Sequence, residues 1–367
     1  MLRLMGPGPP FPQAKRHVNR PRFGYKRAMT ASGVSLRLGI LFLATFLASL
    51  GLTGLVRAWL RRRRILDQPN ERSSHTAPTP RGGGIAVLTV LLPAWCVIDP
   101  RLWPQLLSAL ILAAIGWWDD LKGVAPWPRL AIQIFAVILG LWFQFPLADG
   151  QFTGGLLPQP LDAVAAGLAW LWFINLFNFM DGIDGIAAGE AATIGLGLAV
   201  IALWFGGFAD LAPLSLALVG SALGFLYWNW HPARIFLGDV GSQALGYLIG
   251  FLLLQAAGAG AWAAAIILPL YFWVDATWTL VRRTLAGENI LEAHAQHVYQ
   301  LSHRLGRRHD QVTGAILLAN AVLILFALGA EAGERVPALA GAGLTVFVLI
   351  RRLLRPMGGA APGAQRN

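Results

Sequence analysis

Long apolar runs alternate with short polar ones along the whole chain. Apolar windows fall at 35–58, 83–99, 102–118, 128–147, 160–178, 186–206, 210–228, 240–257, 261–281, 312–330 and 336–351. Each is close to the span of about 20 residues that carries a helix across a bilayer. The pattern predicts an all-α, polytopic integral membrane protein of roughly 10–11 transmembrane helices. Tight Gly- or Pro-bearing turns join most of them. Residues 35–353 read as one transmembrane domain and residues 354–367 as a short cytoplasmic tail. Residues 1–34 carry Arg3, Lys15, Arg16, Arg20, Arg22, Lys26 and Arg27 with no acid and five Pro. They read as a basic, disordered tail. They lack a small-residue cleavage site and are not read as a signal peptide.

Composition agrees. The chain is 56% hydrophobic and 13% charged, against about 25% charged in soluble domains. A single cysteine, Cys96, excludes an internal disulfide. The net charge of +11 would suggest nucleic acid in a soluble protein. Here the Lys and Arg lie mostly between apolar runs, a pattern that fits anionic lipid headgroups instead. No nucleic-acid partner is expected. The basic loop "RAWLRRRRILDQPNERSSHTAPTPRGGG" marks the cytoplasmic side. Counting spans from it puts "DDLKGVAPWPR", "MDGIDG", "NWHPARIFLGD" and the loop "RRTLAGENILEAHAQHVYQLSHRLGRRHD" on that same side. The opposite connections have almost no Lys or Arg. Residues 1–34 then fall outside, against the charge rule; a start at Met29 removes most of that conflict.

The polar segments carry the candidate chemistry. In "NLFNFMDGIDG", Asn175, Asn178, Asp181 and Asp184 recur every three residues, close to one face of a helix. Acids at membrane depth are expensive, which favours a functional site over a merely wet helix end. Asp119 and Asp120 are adjacent carboxylates that need a cation or donors to coexist. Asp239 and Ser242 lie beside Gly238 and Gly241 ahead of an apolar helix. Both could cap it; convergence with the other acids favours a metal-ligand role for Asp239. Asn229, Arg234 and Phe236 precede them. His294 and His297 share a helical face and, with the surrounding Arg, suit an anionic phosphate better than zinc. Thr79 and Arg81 lead into Gly82, Gly83 and Gly84. Such a turn at a helix start can cradle an anion through its backbone N–H groups. Hard carboxylates suit Mg²⁺, with Mn²⁺ as a substitute, bridged to substrate phosphates.

"DD", then "NxxNxxDGxDG", then "FLGDxGS" in this order resembles the polyprenyl-phosphate N-acetylhexosamine-1-phosphate transferases. That superfamily includes the phospho-N-acetylmuramoyl-pentapeptide transferase of peptidoglycan synthesis. The likeness runs from about Asp67 to His303 and takes in Asp275 of "PLYFWVDATWTLVRR". It implies a multi-pass enzyme of the bacterial cytoplasmic membrane with its site on the cytoplasmic face. A polyprenyl phosphate, usually undecaprenyl phosphate, would attack a UDP-sugar with Mg²⁺ assisting, and UMP would leave. Carried over by motif, Asp239 would bind Mg²⁺, and Asp119 and Asp120 would position or deprotonate the lipid phosphate. Asp181 would be an essential carboxylate, Asp184, Asn229 and Phe236 would hold uridine, and His297 would contact the diphosphate. A homodimer is compatible with this reading. The segments "HAQHVYQ" and "PTPRGGG" depart from the peptidoglycan enzyme's pattern and, with "DQPNERSSH", resemble the O-antigen and capsule branch. The muramoyl-pentapeptide reaction is the alternative. A secondary transporter is the rival from another class, but its ionisable groups would sit near the bilayer midplane.

Overall fold

A segment in lipid has no water for its backbone polar groups, so it closes its own hydrogen bonds as a helix. The computed structural model describes residues 31–69, 77–144, 152–153, 156–206, 210–289 and 294–356. Within them lie α1 (Ala31–Arg62), α2 (Gly84–Ile98), α3 (Trp103–Lys122), α4 (Pro126–Gln144), α5 (Gln159–Phe179) and α6 (Ile186–Phe205). There follow α7 (Leu211–Asn229), α8 (Asp239–Ala256), α9 (Trp262–Ile267), α10 (Leu270–Leu285), α11 (Val298–Arg304), α12 (His309–Glu331) and α13 (Arg335–Leu353). Eight stretches among the described residues are long and apolar enough to cross a membrane. Large apolar side chains such as Leu43, Leu55, Trp142, Leu325 and Phe347 are exposed on the outside of the bundle. The protein is an all-α, polytopic membrane protein.

Within the described residues every predicted apolar window lies on helix, with two local differences; residues 145–147 of the window 128–147 lie outside them. The window 261–281 is divided, because Pro269 supplies no amide hydrogen and separates α9 from α10. The window 240–257 instead runs on through the wide turn Ala257–Ala261 into α9, giving one apolar stretch from Asp239 to Ile267. The basic tail is predicted to end at residue 34, whereas α1 already begins at Ala31. Residues 1–30 of that tail, and 357–367 of the C-terminal one, lie outside the described residues.

Helix α8 forms the axis of the bundle and is buried from Val240 through Leu253. It packs against α3 and α5, while α7 packs against α1 and α6, and α12 against α6 and α13. Trp170 of α5 stacks on Tyr247 of α8 with centroids 4.6 Å apart and donates its indole N–H to the Tyr247 carbonyl. At the polar end, α2 and α3 approach the start of α8 through glycines. A Cβ on Gly84 would overlap the backbone of Gly241, and one on Gly116 would overlap the Asp239 carbonyl. These contacts bring three loops to one place.

Candidate active site

The first loop is a short ladder. β1 (Leu66–Asp67) pairs antiparallel with β2 (Thr79–Pro80), and Arg81 bridges in parallel to Phe236. The N–H groups of Gly82 and Gly83 donate to the Phe236 carbonyl, and that of Gly84 donates to the Leu237 carbonyl. The expected anion cradle is therefore not available, since the ladder already occupies those donors. The triglycine instead permits close packing of α2 on α8. Thr79 is buried, and its hydroxyl donates to the Ala77 carbonyl.

The ladder aims Arg81 at two acids. Its Nε lies 2.7 Å from Asp120 Oδ1 and its Nη2 lies 2.9 Å from Asp239 Oδ1. Asp120 also accepts from the backbone N–H groups of Asp239 and Val240, at 2.9 and 3.0 Å. It thus caps α8 from another helix, while α8 itself starts at Asp239. Asp119 accepts from the Val124 N–H and pairs at 2.6 Å with Arg129, whose Nη1 lies 3.5 Å from Asp239 Oδ2. Two guanidiniums therefore pair with three carboxylates and leave one net negative charge among them. The Arg81 guanidinium is partly withdrawn from water, which lowers its pKa, but Asp120 and Asp239 outweigh this and raise it above the usual value. The oxygens of Asp119 and Asp120 are all engaged by close donors. Asp239 also lies within hydrogen-bonding reach of the Asp119 carboxyl, and its Oδ2 has a longer contact to Arg129, so two neighbouring carboxyls meet there and Asp239 is the acid best placed to accept a cation. An all-oxygen donor set suits Mg²⁺.

The predicted stripe from Asn175 to Asp184 is not one helical face. Helix α5 ends at Phe179, so the two Asn lie on it and the two Asp lie in the turn before α6. Gly182 and Gly185 interrupt the helix there, which the three-residue spacing concealed. Asn175 donates to Gln133 Oε1 and the Leu171 carbonyl, and Asn178 donates to Ser242 Oγ at 2.7 Å. Asn178, Asp181, Asp184, Asn229, Phe236 and Asp239 line a cavity of about 200 Å³, together with Arg81, Gln300 and His309. The Asp181 carboxylate has no side-chain partner among the described residues. Burial, and after it the charge of Asp239, raises its pKa well above the ordinary carboxylate value.

Asp184 is held by three groups. Its Oδ2 lies 2.7 Å from His231 Nδ1 and accepts from the Ala233 N–H, and its Oδ1 lies 3.2 Å from His309 Nδ1. Burial pulls this carboxyl up, but His309 and His231 outweigh it and hold it below the usual range. The Thr313 hydroxyl donates to the Asp184 carbonyl. The three ligand-capable atoms of Asp184, His231 and His309 lie within 4.8 Å of one another, and pairing explains that closeness. Asn229 is buried, accepts from the Gly185 N–H and donates to the Ile235 carbonyl. It ties the two loops that form the cavity wall.

The histidine segment is placed differently from the other candidates. His297 precedes α11, is buried, and does not line the cavity. Its ring is parallel to that of Tyr299, with centroids 5.7 Å apart. His294 lies 4.9 Å from it, ring to ring, and burial followed by His297 pushes the His294 pKa down to about 4. Gln300 and His309 reach the cavity instead. Sequence reasoning missed Arg129, His231 and His309. Arg129 closes the quoted "DDLKGVAPWPR", and a cation ten residues after an acid pair was the available signal.

Comparisons with known proteins show the family. Residues 102–257 match the Glycosyl transferase family 4 profile, a segment that holds Asp119 through Asp239. A probable undecaprenyl-phosphate N-acetylglucosaminyl 1-phosphate transferase of Bacillus subtilis is 29% identical over 79% of this chain and 85% of that protein. A decaprenyl-phosphate N-acetylglucosaminephosphotransferase of Mycolicibacterium smegmatis is 30% identical over 82% and 83%, respectively. A phospho-N-acetylmuramoyl-pentapeptide-transferase of Microcystis aeruginosa is 30% identical over 78% and 87%. With its three polar loops gathered on one cavity and these relatives aligned along most of their length, the chain belongs to glycosyl transferase family 4.

Proposed function

We propose that the protein transfers an N-acetylhexosamine 1-phosphate from a UDP-sugar to a polyprenyl phosphate, with undecaprenyl phosphate the expected acceptor. The products are a polyprenyl-diphospho-sugar and UMP. The observation that carries this reading is the Arg81–Asp120–Asp239–Arg129 network at the wall of a polar cavity, at the end of a membrane bundle. Relatives named for polyprenyl-phosphate substrates support it. The site would face the cytoplasm of a bacterial inner membrane, where nucleotide sugars are found. Initiation of an O-antigen or other envelope polysaccharide is the pathway role that suits it.

An oxygen of the lipid phosphate would attack the β-phosphorus of the donor. The bond from that phosphorus to the bridging oxygen breaks, and UMP leaves with that oxygen. A phosphate monoester has its second pKa near 6, so the acceptor needs no strong base at neutral pH. The barrier is bringing one anion onto another, which is relieved by positioning and fixed positive charge. Arg81 and Arg129 supply such charge from the chain. A Mg²⁺ ion held by Asp239 would add charge at the diphosphate. Asp119 and Asp120 hold the arginines in place, while Asp184 and Asn229 form the wall suited to the uridine. Asp181, with no side-chain partner among the described residues, would face the reacting groups.

The test is a donor screen. Purified protein with undecaprenyl phosphate and Mg²⁺ receives a panel of UDP-sugars, and UMP release is measured. Release from UDP-N-acetylglucosamine or a deoxy relative supports the proposal. Release from UDP-N-acetylmuramoyl-pentapeptide alone would establish the peptidoglycan reaction instead. No release from any donor, with the ion network intact, would sink the reading.

A further inference from the structure

Asp275 lies on α10, completely buried, away from the ion network just described. Four hydrogen-bond donors converge on it, and His297 Nδ1 also lies 3.5 Å from its Oδ1, so it touches the histidine directly as well as through the helix it caps. The Tyr271 hydroxyl reaches Oδ2 at 2.9 Å and the Thr279 hydroxyl reaches Oδ1 at 3.2 Å. The other two are the backbone N–H groups of Val298 and Tyr299, at 2.9 and 3.3 Å. Those two amides open α11 and would otherwise be unpaired. A carboxylate from one helix thus caps another, and α11 carries His297 at its start and Gln300 on the cavity.

Tyr299 extends the connection. Its hydroxyl donates to the Phe179 carbonyl at 2.9 Å, at the last residue of α5 and two before Asp181. A Cβ on Gly182 would overlap that hydroxyl, so only glycine lets the Asp181 loop lie against it. The ring of Tyr299 runs parallel to that of His297. One tyrosine therefore touches the histidine segment on one side and the Asp181 loop on the other. Tyrosine has the length and the polar tip for this, whereas phenylalanine keeps the length and loses the tip.

We infer that Asp275 and Tyr299 are positioning residues: through the cap on α11 and the strut to Phe179 they set His297 and Gln300 in register with Asp181. Neither touches the cavity. A role in bare stability would lower the yield of folded enzyme without altering each folded molecule. Positioning instead changes turnover per folded molecule and couples to the groups positioned.

The experiment uses the full-length enzyme in detergent with two readouts. The first is amide hydrogen exchange, which does not depend on the proposed reaction. In Asp275→Asn, exchange across 298–304 should accelerate at least tenfold with α12 and α13 unchanged. The second is UMP release and rests on the reaction proposed above. Asp275→Asn should lower kcat at least tenfold while the donor KM moves less than about threefold. Adding His297→Ala to Asp275→Asn should cost less than a further twofold, although His297→Ala alone is costly. Tyr299→Phe, which keeps the ring, should show the same pattern more weakly and serves if Asp275→Asn does not fold. Unchanged exchange at 298–304 would overturn the inference, as would fully multiplicative losses in the double variant. Absence of UMP release in the wild type would count against the reaction alone, and the exchange measurement would still decide the positioning.

Discussion

Asp120 caps the helix that Asp239 begins: its two carboxylate oxygens accept the N–H groups of Asp239 and Val240. One acid thereby fixes the backbone that presents another, and Arg81 then joins the two side chains. Asp120→Ala should cost about 1–2 kcal/mol of stability from the lost cap. It should also lower turnover at least a hundredfold by freeing Arg81. Thermal melting and UMP release on the same preparation check both.

Arg129 is the second cation of the network and touches Asp119 and Asp239. Arg129→Ala should raise the acceptor concentration needed for half-maximal rate about tenfold, with a smaller change in donor KM. The loss is electrostatic, so it should shrink as ionic strength rises. A titration of acceptor at two salt concentrations reads this directly.

Asp181 is half-buried at the cavity with no side-chain partner among the described residues, and burial and the nearby Asp239 raise its pKa, so its charge is a cost to the fold. Asp181→Asn should therefore melt a few degrees higher than wild type near neutral pH while losing nearly all turnover. Direct attack by the lipid phosphate requires no covalent enzyme intermediate. Lipid-free enzyme should then release no stoichiometric UMP from donor and Mg²⁺. A burst of one UMP per site, absent in Asp181→Asn, would make Asp181 a nucleophile.

Asp184 behaves in the opposite sense. Its carboxyl is held below the ordinary value by His309 and His231. A depressed acid contributes stability above its unfolded pKa, about 3.9, and loses it as pH falls through the folded value. Wild type should melt above Asp184→Asn between about pH 5 and 7, and the gap should close below about pH 3.9. Melting both proteins across that range is the check.

Gly84→Ala places a methyl group against the backbone of Gly241. Neither backbone can move without shifting α2 or α8, so the substitution should cost about 1–3 kcal/mol. The loss should appear in melting temperature and in turnover together, because the same contact positions Arg81 near Asp239.

The helices were legible because lipid imposes one length and one backbone solution, and within the described residues each apolar window found its helix. The acids were legible because carboxylates are costly at those positions. What joins them was not. Arg129 meets Asp239 across 110 residues, and His309 meets Asp184 across 125. Neither pairing leaves a local pattern. The triglycine misled for a related reason: its donors go to Phe236 and Leu237, partners that local sequence does not reveal. The Asn175–Asp184 spacing continued past the end of α5, since three-residue spacing alone does not mark a helix terminus.

The Arg81 and Arg129 pairings also bear on how the protein is made. Because the chain brings its own counter-ions to Asp119, Asp120 and Asp239, insertion and folding need not wait for a divalent ion. A chelator should then silence the enzyme reversibly without melting it. The ion-free bundle should then withstand purification and storage as an intact scaffold.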